Sequence, residues 1–219
     1  MALFHLSCVA LVNQVIIAAI FIALSSFPVG ADLLESVWVP LEDMDVASKA
    51  RLPGYCKGAY LERDYPHPLE IDSSAFPVSA VADRIRHSIG ETSDIEGEVI
   101  IEQGNRRITT VRAALDETAR TVNLSWGSLL TEPGIALGSE SALLNLDDGS
   151  TSLENADFVL FAPEVRGTAD VIHHSKKGLS LENARFTRCE PSSNTWEISS
   201  GKFTVDDGAV YGHARNALV

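Results

Sequence analysis

The side chains best able to do covalent chemistry in this 219-residue chain are its three cysteines, Cys8, Cys56 and Cys189. There is no Cys-x-x-Cys and no Cys/His pair at ligand spacing, so zinc finds no support. Thiol–disulfide chemistry is what remains, and it requires an oxidising compartment. The histidines do not add a metal centre. His173 and His174 are adjacent, and neighbours on a strand point to opposite faces; His67, His87 and His213 have no carboxylate at ligand spacing. Glu154 and Glu182 lie 28 residues apart. They would suit a glycan-cleaving carboxylate pair, but they read better as turn-side residues on successive structural repeats. Asp147-Asp148-Gly149 and Asp206-Asp207-Gly208 are explained by turn chemistry without Ca²⁺. Asn123-Leu124-Ser125, a formal glycosylation sequon, falls inside a run read as strand. Gly-x-Ser-x-Gly, P-loop and His-Glu-x-x-His motifs are absent from the sequence.

The segments that carry the cysteines differ in kind. Residues 1–31 contain no Asp, Glu, Lys or Arg, and Val15–Leu24 is an unbroken apolar run before Pro28 and Val29-Gly30-Ala31. That is the layout of a secretory signal peptide, apart from an n-region without Lys or Arg. Export would remove Cys8 and leave Cys56 and Cys189 as an even pair, 133 residues apart. A mutual bridge, free thiols and bonds to a partner all remain open. Residues 32–80 read as an extended arm carrying Cys56. Pro53, Pro66, Pro68 and Pro77 remove backbone donors there, and a short helix is allowed around Leu41 to Lys49.

Residues 81–219 switch to short runs of period 2, the strand signature. Thr121–Trp126 is one example, with Val122, Leu124 and Trp126 assigned to one face. Turn signals separate the runs: Gly104-Asn105, Pro133-Gly134, Asp148-Gly149, Lys177-Gly178 and Asp207-Gly208. The expected fold is all-β, a sandwich or barrel of antiparallel strands. Its inward apolar set is Val99, Ile101, Leu124, Trp126, Leu146, Phe158, Val171, Phe186, Phe203 and Val205. Leu153-Glu154-Asn155-Ala156-Asp157-Phe158 recurs as Leu181-Glu182-Asn183-Ala184-Arg185-Phe186. A repeat of this length points to stacked rungs that bury one core and end in open strand edges. Net charge is −13, which argues against nucleic acid, whose phosphates need clustered Lys and Arg.

Several of these stretches resemble one family. They are Phe186-Thr187-x-Cys189-x-Pro191 with Trp196, Gly97-Glu98-Val99 with Gln103-Gly104-Asn105, Asn145-Leu146-Asp147, Cys56 with Gly58-Ala59-Tyr60, and Gly-x-Ala-x-Asn-Ala at 212–217. Over roughly residues 55–219 the chain is similar to the N-terminal periplasmic domain of the lipopolysaccharide-assembly outer-membrane proteins (the LptD, or OstA, family). The resemblance implies a β-jellyroll whose apolar slot, lined by the inward set above, carries lipopolysaccharide acyl chains. It implies docking of an LptA-like periplasmic bridge protein by edge-strand addition, and no cofactor. It further implies disulfides from Cys56 and Cys189 to a C-terminal outer-membrane barrel, which in the full-length family is plugged by the lipoprotein LptE. The family's barrel would begin where this chain ends, at Val219. A stand-alone bridge subunit and a secreted β-repeat enzyme acting on glycan are the competing readings.

Overall fold

The computed structural model describes residues 36–50, 52, 57–87, 92–188, 190–191, 193–209 and 211–219. The segment read as a signal peptide and both Cys56 and Cys189 lie outside the described residues. The main sheet is a meander in which each strand pairs with the next in sequence. Long strands make up most of it: β5 (Thr92–Gln103), β6 (Arg106–Asp116), β7 (Thr121–Glu132), β8 (Ile135–Asn145), β9 (Thr151–Leu160), β10 (Val165–Ser175), β11 (Gly178–Thr187) and β12 (Ile198–Asp206). β13 (His213–Leu218) forms one end, and β3 (Ser79–Val81) and β4 (Arg84–Arg86) pair with β5 at the other. All pairings are antiparallel, so the all-β jellyroll expected from the sequence is what the chain forms.

A crease crosses the middle of every long strand. Along β9, Leu153 is buried, Glu154 and Asn155 are both exposed, and Ala156 and Phe158 are buried again. The inward/outward alternation therefore slips by one residue at mid-strand. β7 slips at Ser125 and Trp126, and β11 at Glu182 and Asn183. The ladder is interrupted on the same line, with register shifts between Glu96/Val99, Thr110/Arg112 and Ser125/Ser128. On the odd-numbered strands the crease residue has positive φ: Gly97 (103°), Trp126 (63°), Gly127 (94°), Asn155 (48°), Asn183 (50°) and Asn216 (54°). Asparagine and glycine tolerate this left-handed region best, which is why the repeated Leu-Glu-Asn-Ala carries Asn at its third place.

The inner side of the crease is a row of small residues. Thr110, Ser128, Ser139, Ala156 and Ala169 sit opposite one another on successive strands, and Ala184 faces Ser200 beyond them. All are buried, and their size lets the sheet bend sharply upon itself. The bend leaves carbonyls short of ladder partners, and hydroxyls supply replacements. Thr110 Oγ1 donates to the Gly127 carbonyl (2.6 Å), Ser139 Oγ to Ser141 (2.9 Å) and Ser200 Oγ to Lys202 (2.7 Å). A buried carbonyl left unpaired would cost ~1–3 kcal/mol.

Folding at the crease turns each strand into two half-strands and the sheet into two facing limbs. The first limb carries the 104–105, 133–134 and 161–164 turns, and the second carries the 117–120, 146–150 and 176–177 turns. The two inner faces merge into a single apolar cluster, with Val99, Ile108, Leu137 and Phe158 from the first limb and Leu124, Leu144, Leu153 and Ile172 from the second.

The N-terminal residues pack on the outer face of the first limb. β1 (Trp38–Pro40) and β2 (Gly58–Tyr60) form a two-stranded sheet, and Trp38 and Tyr60 meet edge to face at 4.8 Å. Together with Phe161 they cover Ala136 and Val159, so Ile135–Ser139 is buried on both sides. Within the stretch where the sequence allowed a helix, Leu41–Asp43 forms a 3-10 turn and α1 (Val46–Lys49) is one helical turn capped by Asp45.

Candidate functional site: the interior of the folded sheet

The interior places most of the apolar residues singled out from the sequence. Val99, Ile101, Leu124 and Phe158 are in the buried cluster, and Leu146, Phe186, Phe203 and Val205 pack against it. Two rings cross between the limbs: Phe186 of the first and Phe203 of the second lie 5.3 Å apart. Gly167 makes room for the Phe158 ring beside them. It pairs with Phe158 on one side and Phe186 on the other, and a Cβ there would stand 2.6 Å from the Phe158 ring.

Two residues expected inside are not. Trp126 is 69 % exposed, and Val171 lies on the outer face, opposite the exposed Glu154 and Glu182. The cause is the crease: period-2 counting carried across it assigns the wrong face. Trp126 lies against Arg112, whose guanidinium carbon is 5.9 Å from its ring centroid. Glu154 and Glu182 flank Val171 on solvent-facing strands and converge on no cleft.

The cluster's core side chains are buried, Phe158, Leu137, Leu153, Ile172 and Leu181 at 1 % exposure or less. A polar depression of about 460 Å³ lies instead at the crease around Asp170, Asn183 and Asn216. There Asn183 Nδ2 donates to Asp170 Oδ2 (2.8 Å). Among the described residues no group of His, Cys, Asp and Glu side chains is arranged to hold a metal.

Polar contacts that period counting missed close the limb tips. Glu132, at the end of β7, is paired with Arg106 Nε (2.9 Å) of the same limb and His174 Nε2 (2.9 Å) of the other. Arg106 Nη1 also donates to the Gly149 carbonyl across the gap (3.3 Å). Burial pushes the Glu132 carboxyl up, but His174 and Arg106 outweigh it and bring it down to about 2. The one sequence signal for these contacts is polar residues at strand ends, and any exposed turn would give the same signal.

The segments flanking the cysteines also converge. Arg166, 6 % exposed on the outer face of the first limb, donates through Nη2 to the carbonyls of Glu190 (2.8 Å) and Ser193 (2.6 Å) and to Asn194 Oδ1 (2.6 Å). Lys57 Nζ meets Glu190 Oε1 at 2.6 Å. Thus the sequence neighbour of Cys56 is joined to the sequence neighbour of Cys189, on the side away from the apolar interior.

No protein-family model matches the chain. The LPS-assembly proteins LptD of Pseudomonas savastanoi pv. phaseolicola and Pseudomonas syringae pv. tomato are each 29 % identical to it over 195 residues, covering 86 % of this chain and 21 % of theirs. LptD of Pseudomonas aeruginosa strain UCBPP-PA14 is 28 % identical over 193 residues, with the same coverage. Among solved structures, the periplasmic LptH of Pseudomonas aeruginosa, an LptA homologue, matches 47 % of this chain and 78 % of its own at a TM-score of 0.42 and 11 % identity. Across 86 % of its length the chain is therefore similar to the LPS-assembly protein LptD, and it spans about a fifth of the length of the proteins it matches.

Proposed function

We propose that this chain is a periplasmic part of the lipopolysaccharide transport and outer-membrane assembly machinery, and that acyl chains pass between the limbs of its folded sheet toward an outer-membrane barrel. The observation that carries the reading is the continuity of the interior. One apolar cluster runs from Val99 on β5 to Val205 on β12, shared by two limbs that the backbone joins at the crease. A sheet creased in this way can admit a ligand along its length without losing ladder hydrogen bonds. Each methylene transferred from water into such a slot contributes ~0.8 kcal/mol, so capture needs no basic cluster, in keeping with a net charge of −13. The likeness to LPS-assembly proteins supports the same reading, as a conduit and not an enzyme.

Lipopolysaccharide is the cargo in this proposal. The partners are an LptA-like bridge protein adding a strand at an end of the sheet and, beyond this chain, the barrel with its lipoprotein LptE. Among the described residues β13 pairs only with β12, and it is exposed throughout; β3 and β4, three residues each, form the other end. The proposed location is the periplasmic face of the outer membrane, reached by export. Cys56 and Cys189 are proposed as disulfide-forming residues; the Lys57–Glu190 ion pair and the Arg166 anchor support their presentation at one place, outside the lipid path. Fluorescent lipopolysaccharide titrated into the folded chain tests the reading. Saturable binding, competed by unlabelled lipopolysaccharide and not by its delipidated core sugar, is expected. A folded chain that binds neither would sink it.

A further inference from the structure

An interior of buried side chains, closed over at the limb tips by polar contacts, must part there to take an acyl chain, and those contacts are unequal in a way that marks the place. Residues 62–76 form a strap across the mouth between the limbs. On the first limb the strap is bound deeply. Asn105, 1 % exposed, accepts from His67 N (3.0 Å) and donates to the His67 carbonyl (3.0 Å), and its own carbonyl accepts from Arg63 Nη2 (2.8 Å). Phe76 stacks on His67 at 4.1 Å, and its carbonyl accepts from Gln103 Nε2 (3.2 Å). The amide of Gly134 donates to Glu62.

On the second limb the strap's hydrogen bonds and ion pairs among the described residues come from Lys176. Its Nζ reaches Asp72 Oδ2 (3.1 Å) and Ser74 Oγ (3.0 Å), with the Lys176 and Asp72 side chains 58 % and 60 % exposed. Exposed pairs of this kind hold weakly. Behind it stands His174 Nε2 on Glu132, while His174 Nδ1 is buried with no hydrogen-bond partner among the described residues. Water would satisfy that nitrogen if the tip moved outward, so part of the cost of breaking the His174–Glu132 contact is returned on opening. Lys176 and His174 belong to the same hairpin tip, β10–β11.

We propose that the β10–β11 tip is the moving leaf of a lateral gate, and that the strap with the 104–105 and 133–134 turns is its fixed post. An acyl chain enters the interior by parting His174 from Glu132 and Lys176 from Asp72. The proposal rests on the conduit reading above, with the limb mouth as the lipid entrance.

A charge-reversal pair tests it in the full chain. Hydrogen exchange at residues 173–178 and the uptake rate of fluorescent lipopolysaccharide are measured for wild type, Lys176→Glu and the swapped Asp72→Lys/Lys176→Glu. Both side chains are more than half exposed, so none of these changes disturbs the core, and Asp72→Lys alone is the control for losing the bond that Asp72 Oδ1 accepts from Ser74 N (2.8 Å). The single variant is expected to speed both readouts about two- to five-fold, the range set by one exposed ion pair, and the swap to restore them. Unchanged exchange in Lys176→Glu, or uptake that ignores it while wild type takes up lipid, overturns the gate and leaves the conduit. Exchange that responds as expected in chains that never take up lipopolysaccharide overturns the conduit, and with it lipid as the gate's cargo.

Discussion

Asn155, Asn183 and Asn216 occupy one structural position on three successive odd-numbered strands, each with φ near 50°. At the same position β7 has Trp126, with φ 63°. Bulky side chains enter the left-handed region at a cost of ~1–2 kcal/mol, whereas Asn is more readily accommodated. Asn183→Ala is therefore expected to destabilise the fold by ~1 kcal/mol, combining the backbone cost with loss of the contact to Asp170, while Asn183→Gly costs less. Trp126→Asn is expected to stabilise by a similar ~1 kcal/mol; urea midpoints of the three variants check both. The Leu-Glu-Asn-Ala repeat was plain in the sequence, but its meaning was not. The same four letters serve a regular rung as well as a kink, and only φ separates the two. For Trp126 and Val171 the observed face differs from period-2 counting for this reason, whereas Phe158 lies in the apolar cluster and Phe186 packs against it.

At the scale of elements, strand runs and turns were legible because period 2 and Asp-Gly or Asn-bearing turns are local properties. Asp148 shows this: its carboxylate accepts from Ser150 N at 2.8 Å beside Gly149 at φ 71°. What joins the limbs was not legible, since Glu132 and His174 are far apart in sequence and meet only after the sheet folds. Their contact predicts a pH dependence. The Glu132 carboxyl is held down to about 2 from an ordinary 4.5. A depressed carboxylate contributes stability above its unfolded value and loses it as pH falls through the folded one. That contribution, on the order of 2–3 kcal/mol, is expected to be complete above pH ~4.5 and gone near pH ~2. Unfolding curves of wild type and Glu132→Gln should differ by about that amount near pH 5, where the imidazole beside Glu132 carries its proton, and converge at the acid end. A constant gap across the range would rule out the carboxylate as its source. The strap was likewise invisible as a strap: its proline density reads as irregular chain, and Asn105, which anchors it, reads only as a turn residue.

For the molecule as a whole, the crease is what turns a plain meander into a two-limbed body with one apolar interior, and β1 and β2 pack on the outside of the first limb, away from it. The cysteine-flanking segments lie on that outer side as well, so thiol chemistry and lipid passage need not interfere. The central claim is that acyl chains travel between the limbs and not over the outer faces. A photo-reactive amino acid placed in turn at Phe158 and Phe186, inside, and at Val111 and Leu143, exposed on the outer face, tests it most directly in cells exporting lipopolysaccharide. Capture of lipopolysaccharide from Phe158 and Phe186 with none from Val111 and Leu143 is the predicted result; equal capture from both pairs, or capture from the outer pair alone, would contradict it.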